Sequence, residues 1–179
     1  MESIKKNLDI IISESKNNNI KKYYIDIIKN FNNKITDIEI IATKIIIDDI
    51  QQQYHNIKYN NLNQYICYII KHSNTEKNTL LIALIYLNKI KKNRKLGCVK
   101  QMFVISLIMA GKYHKDNNNS LIAWLKICEI SKENLFKYER IFLKILDYNL
   151  YISEDDFYYF YCRIQIYYYI NIKPKYLLS

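Results

Sequence analysis

Two charged residues stand where the sequence leaves little room for charge. Lys112 closes VKQMFVISLIMAGKYHKD (residues 99–116), a run apolar on every side until the lysine is reached. Glu139 shares a stripe with Leu135, Phe142 and Leu146, at spacings of 4, 3 and 4, so helical geometry sets it in line with apolar side chains. A carboxylate on a buried face is costly unless it is hydrogen-bonded or paired. Three readings account for it: an internal salt bridge, a position at the stripe's edge that reaches water, or a carboxylate kept for a partner protein. Lys112 has a plainer use as a cation at a helix C-terminus, worth a few tenths of a kcal/mol against the dipole. Spacing alone leaves these readings open.

Other chemistry finds little support. Cys67, Cys98, Cys128 and Cys162 lie far apart and form no CxxC, so they read as buried free thiols of a reducing compartment. His55, His72 and His114 do not fall at ligand spacing with them, and neither a metal site nor a cofactor is expected. There is no glycine-rich phosphate loop and no nucleophile with a partner histidine, which argues against an enzyme. The N-terminal apolar run is too short for a signal peptide. The apolar stretches near 79–87 and 102–111 fall short of the roughly 20 residues that span a bilayer. No membrane partner is expected, and the chain reads as intracellular, in the nucleus, the cytoplasm or both.

The formal charge of +10 could mean nucleic acid, an anionic membrane or an acidic protein partner. Lys, Asn, Ile and Tyr are all over-used, as an A/T-rich coding sequence would produce, and a solvated basic surface explains the charge as well. The densest run is Lys89, Lys91, Lys92, Arg94, Lys95, between two helical segments. Without a groove-reading motif, nucleic acid is not expected as the main partner.

Only an arrangement of helices can position Lys112 and Glu139. At 179 residues, with two glycines and one proline, the chain suits one all-α domain with a real core. Residues 1–35 read as a polar, partly disordered leader, and 36–60 as a flanking helix (Ile38 to about Gln53) followed by a linker. Helices are then predicted over about Leu62–Lys71, capped by Asn61, and over about Glu76–Lys91. The opening stretch forms the next. A short helix follows over Leu121–Cys128, capped by Asn119 or Ser120, and another runs from after Ser131 to about Leu146. A last one begins at Ser153 with SEDD, as in a capping box. Its FYYFY would pass for a strand on propensity alone.

The order and wording of these helices resemble a cyclin box. LIALIYLNKI, FVISLIMAGKYHKD, SLIAWLKICEIS and KYERIFLKILDYNLYISEDDFYYFY carry the resemblance, and YHNIKYNNLNQYICYIIKHSNTEKNTL is similar to the opening segment of the P/U-type, phosphate-signalling-related branch. It covers roughly Thr36 to Tyr161. The resemblance implies a single five-helix cyclin box over 61–150, with a flanking N-terminal helix and a C-terminal helix and tail over 151–179. With about 29 residues after Leu150, a second repeat is not expected.

What the resemblance implies about function is a non-catalytic subunit that binds a cyclin-dependent kinase and holds its αC helix in the active position, reaching kinase substrates indirectly. The family's kinase-contacting lysine and glutamate match Lys112 and Glu139. The apolar positions around them match Met109, Tyr113, Leu143, Tyr148 and Leu150. Three departures stand out. The family's A-S-K is Ala110-Gly111-Lys112. Its buried arginine–aspartate pair is replaced by Tyr68 and Asn88, for which a hydrogen bond is expected. The glycine pair before the fifth box helix reads Cys128-Glu129, so a different turn is expected there. The alternative is a cyclin-fold transcription adaptor, TFIIB-like or retinoblastoma-like, that binds nucleic acid or a peptide.

Overall fold

The computed structural model describes residues 31–53, 61–90, 98–114 and 119–169. Most of the leader, the linker after Gln53, the Lys91–Lys95 part of the basic run and the C-terminal tail lie outside the described residues. Seven helices, and no strand, are found among the described residues. They are α1 (Asp37–Gln53), α2 (Leu62–His72), α3 (Lys77–Ile90), α4 (Val99–His114), α5 (Leu121–Cys128), α6 (Lys132–Ile145) and α7 (Glu154–Tyr167). The fold is all-α, as the apolar periodicity predicts. Among the described residues no helix is long and apolar enough to cross a membrane.

The chain forms two compact units. The larger, Lys34–Ser153, holds α1 to α6. Its axis is α4, buried on every side from Met102 through Gly111. Removing an aliphatic or aromatic side chain of this kind from water contributes about 1.5–3 kcal/mol. Helix α3 lies along α4, with Leu80 to Leu87 buried in unbroken succession. Helices α1, α2 and α6 also pack against α4. The outer helices are amphipathic: α2 buries Leu62, Ile66, Ile69 and Ile70, and α6 buries Leu135 and Phe142.

Local chemistry sets the helix starts. The Ser120 hydroxyl accepts from the Ala123 N–H at 3.2 Å and that of Ser131 from Asn134 at 3.3 Å, each satisfying one orphan donor of a first turn. Ser120, rather than Asn119, is therefore the cap of α5. Asn61 does not cap α2: it sits in the left-handed region (φ 67°) with no side-chain capping bond, and only its carbonyl serves, accepting from Tyr65 at 3.0 Å. At the end of α5, Glu129 adopts the left-handed conformation (φ 53°, ψ 35°). The turn expected to differ thus has, at Glu129, the backbone a glycine would supply.

Helix α1 is anchored by a device the sequence reading passed over. Thr36, just ahead of the helix, donates from its backbone N–H (2.8 Å) and its hydroxyl (2.6 Å) to Glu39 Oε2, the reach-back half of a capping box. The other oxygen, Glu39 Oε1, meets Lys77 Nζ of α3 at 3.4 Å, the two side chains being 0% and 4% exposed. A buried ion pair thus ties α1 to the start of α3.

In the second unit, α7 is a helix despite its strand-like FYYFY. Its first turn carries Glu154, Asp155 and Asp156, anions placed favourably at the positive end of the helix dipole. Phe31 meets Phe157, Tyr158 and Tyr161 edge-on, at ring-centre distances of 5.9, 6.2 and 4.9 Å. The aromatic run serves ring packing from a helix here, not a sheet.

Candidate functional site

The site grows from the packing of α6 on α4. Glu139 lies one turn from the buried Leu135 and Phe142, so its carboxylate emerges beside the core rather than opposite it. Lys112 leaves α4 immediately after the buried Ala110 and Gly111. Lys112 Nζ donates to Glu139 Oε1 at 2.6 Å, with 44% of the lysine side chain and 16% of the glutamate side chain exposed. Of the three readings open for Glu139, the internal salt bridge is present, and it stands at the surface where a partner can reach it.

Other residues matched to kinase contacts divide by accessibility. Tyr113 and Tyr148 are exposed, at 53% and 64%. Leu143 and Leu150 are half-buried. Met109 is buried within α4.

The segment after α6 is a strained turn. Asp147 (φ 52°) and Tyr148 (φ 55°) are consecutive non-glycine residues in the left-handed region, a conformation that costs on the order of 1–3 kcal/mol for each and persists only where surroundings enforce it. The helix end enforces it in part: the Tyr148 N–H donates to the Leu143 carbonyl at 2.8 Å and that of Asn149 to Leu146 at 2.9 Å. Asn149 Oδ1 then accepts from the Tyr151 N–H at 3.2 Å.

Beyond the turn, the Leu150 carbonyl accepts from the Tyr86 hydroxyl of α3 at 2.7 Å, and His114 Nε2 lies 2.9 Å from that same hydroxyl. A phenol has one proton to give. With it committed to Leu150, the histidine donates from Nε2–H. Burial raises the Tyr86 pKa well above the ordinary phenol value, so the hydroxyl keeps its proton.

Burial of part of the His114 ring holds its pKa below the ordinary 6.5, against a hydrogen bond to the Leu150 backbone that works the other way. As pH falls through about 6.5 the unfolded chain takes up this proton before the folded one does. The histidine's contribution is therefore present above that pH and lost on acidification towards the folded pKa. Melting temperatures measured from pH 7 to 5.5 should fall, with a shallower slope in His114→Gln. Identical slopes would refute the assignment.

Two sequence expectations are corrected. Among the described residues no hydrogen bond joins Tyr68 to Asn88. Tyr68 is 44% exposed and stacks on His72 at 4.0 Å between ring centres, while His72 Nδ1 meets the Tyr68 carbonyl at 2.8 Å. The buried ion pair observed lies elsewhere, at Glu39 and Lys77, for which only the T-x-x-E spacing of Thr36 and Glu39 gave a signal. The cysteines, expected buried, divide: Cys128 and Cys162 are buried, Cys98 is half-buried and Cys67 is exposed. Burial pushes the Cys128 thiol up to about 12 and Cys162 up to about 11, which leaves both protonated and inert.

The larger unit is thus a helical bundle around the buried α4, with a lysine–glutamate pair at its rim. Residues 26–151 match the model of the cyclin N-terminal domain. The chain belongs to the cyclin family. Among curated cyclins it is similar to PHO85 cyclin-5 of Saccharomyces cerevisiae, 27% identical over 142 residues, which cover 72% of this chain and 62% of that one. It is also similar to the G1/S-specific cyclin pas1 of Schizosaccharomyces pombe, 26% identical over 114 residues, or 59% of this chain and 28% of that one. The match thus spans under two thirds of the length of either relative. No solved structure matches the cyclin chain.

Proposed function

We propose that this cyclin is the regulatory subunit of a cyclin-dependent protein kinase and activates it by docking against the kinase αC helix. The observation that carries the reading is the Lys112–Glu139 pair: residues 27 apart meet at 2.6 Å on an accessible rim. The exposed Tyr113 follows on α4, and the Tyr148–Leu150 turn is linked to the same helix end through the Tyr86 hydroxyl, which bonds both the Leu150 carbonyl and His114. A lysine donates and a carboxylate accepts, so the pair can take up both a carbonyl and an N–H of a partner backbone. Met109, Leu143 and Leu150 supply apolar support, and Tyr113 and Tyr148 aromatic contact area.

An active kinase holds its αC glutamate against the β3 lysine. A surface that binds only that arrangement selects it. Moving a kinase from about 1% to about 99% active requires a preference of roughly 10⁴-fold for the active form, within reach of one well-packed protein interface. In this reading catalysis belongs to the kinase and the cyclin contributes the docking surface. The name of the G1/S-specific relative supports a role in cell-cycle control.

The test is to recover bound kinase on the immobilised chain, identify its catalytic subunit, and reconstitute the two purified proteins. Stimulated serine/threonine phosphorylation of a generic substrate, absent from either protein alone, is the expected result. Steeply salt-dependent DNA binding with no kinase recovered would replace this reading with the transcription adaptor.

A further inference from the structure

We infer that Tyr86 and His114 are positioning residues that hold the Asp147–Tyr151 turn in the shape a kinase receives, an inference that rests on the function proposed above. Tyr86 belongs to the core: it is 0% exposed and its ring meets Phe142 edge-on at 6.2 Å. Its hydroxyl nevertheless reaches a carbonyl 64 residues further along the chain. The turn lies just past the end of α6; Tyr86 from α3 donates to its Leu150 carbonyl, and His114 from α4 meets the Tyr86 hydroxyl. Lys89, one turn along α3 from Tyr86, adds a bond to the Tyr151 carbonyl at 3.5 Å. The helix end fixes the start of the turn and these three side chains fix its exit.

Between the two attachments, the backbone holds two consecutive left-handed non-glycine residues and displays Tyr148 and Tyr151, 64% and 68% exposed. Strain of this kind is retained where it prearranges a contact. A surface that is already ordered loses less freedom on binding. Hydrogen bonding that merely satisfied a buried phenol would need one acceptor anywhere. Here side chains of two helices, Tyr86 directly and His114 on its hydroxyl, converge on the carbonyl next to Tyr148 and Tyr151, the most exposed aromatic residues among those described in the larger unit.

The experiment is a double-mutant cycle on kinase affinity with the full chain. Tyr86→Phe removes the hydroxyl and leaves the ring. It should weaken binding about fivefold or more in the wild-type background, but less than about twofold when Tyr148 and Leu150 are already alanine, because coupled positions are non-additive. His114→Gln, which keeps a donor, should retain more affinity than His114→Ala. Backbone amides of 148–151 should exchange faster in Tyr86→Phe while those of α4 keep their protection. Equal losses in both backgrounds, or no loss, overturn the inference and leave the proposed function standing. A wild-type chain that binds no cyclin-dependent kinase overturns both.

Discussion

Replacing Lys77 by methionine should destabilise the fold by about 3–5 kcal/mol and lower the melting temperature by on the order of 10 °C for a unit of this size. The reason is the environment of Glu39. Its side chain is 0% exposed, and Lys77, 4% exposed, approaches one carboxylate oxygen at 3.4 Å while Thr36 donates twice to the other. Removing the lysine takes a counter-charge away from a carboxylate in the interior. The loss should appear in urea or thermal unfolding followed by circular dichroism. Attraction between the charges is not itself the source of stability, since desolvating both offsets much of it. Replacing the pair together, Glu39→Leu with Lys77→Met, should therefore cost less than Lys77→Met alone. A double variant as unstable as the sum of its parts would show that the pair acts as two independent packing sites.

Lys112 and Glu139 should behave in the opposite way. Lys112→Glu or Glu139→Ala is expected to lower kinase affinity at least tenfold, the loss typical of a truncated or reversed contact at the centre of an interface. Folding stability should change by less than about 1 kcal/mol, because the lysine side chain is 44% exposed and screened by solvent. The exchanged pair, Lys112→Glu with Glu139→Lys, separates the two roles. It restores attraction within the chain but presents donor and acceptor to a kinase backbone in the wrong order. Stability should return while binding stays lost, and recovery of binding would reduce these residues to a structural brace. Isothermal titration against a purified kinase reads one quantity and thermal unfolding the other.

What could be read from the sequence was whatever repeats along one helix. The all-round hydrophobicity of α4 predicts its burial, and the stripe Leu135, Glu139, Phe142, Leu146 sets a carboxylate in line with apolar residues without deciding what it meets. That Lys112 is the partner of Glu139 does not follow from either pattern, because the two belong to different helices. Resemblance set them side by side as kinase contacts and the fold joins them to each other. Glu39–Lys77 and Tyr86–His114–Leu150 escaped for the same reason: tertiary contacts leave no period. Lys77 was the hardest to anticipate, a lysine opening a helix and so apparently bound for solvent. Asn61 shows the converse error, a good capping residue that takes a left-handed backbone and makes no side-chain capping bond.

The turn at Asp147 and Tyr148 has a consequence for how this chain can change. Glycine at either position would relax a left-handed backbone and, judged on folding alone, would be an improvement. At 148 the same change would delete an exposed ring and loosen the segment that presents Leu150. Under the proposed function, stability and partner recognition pull against each other at these positions. Engineering the chain for robustness without a partner in view would select here for a sturdier protein that docks poorly.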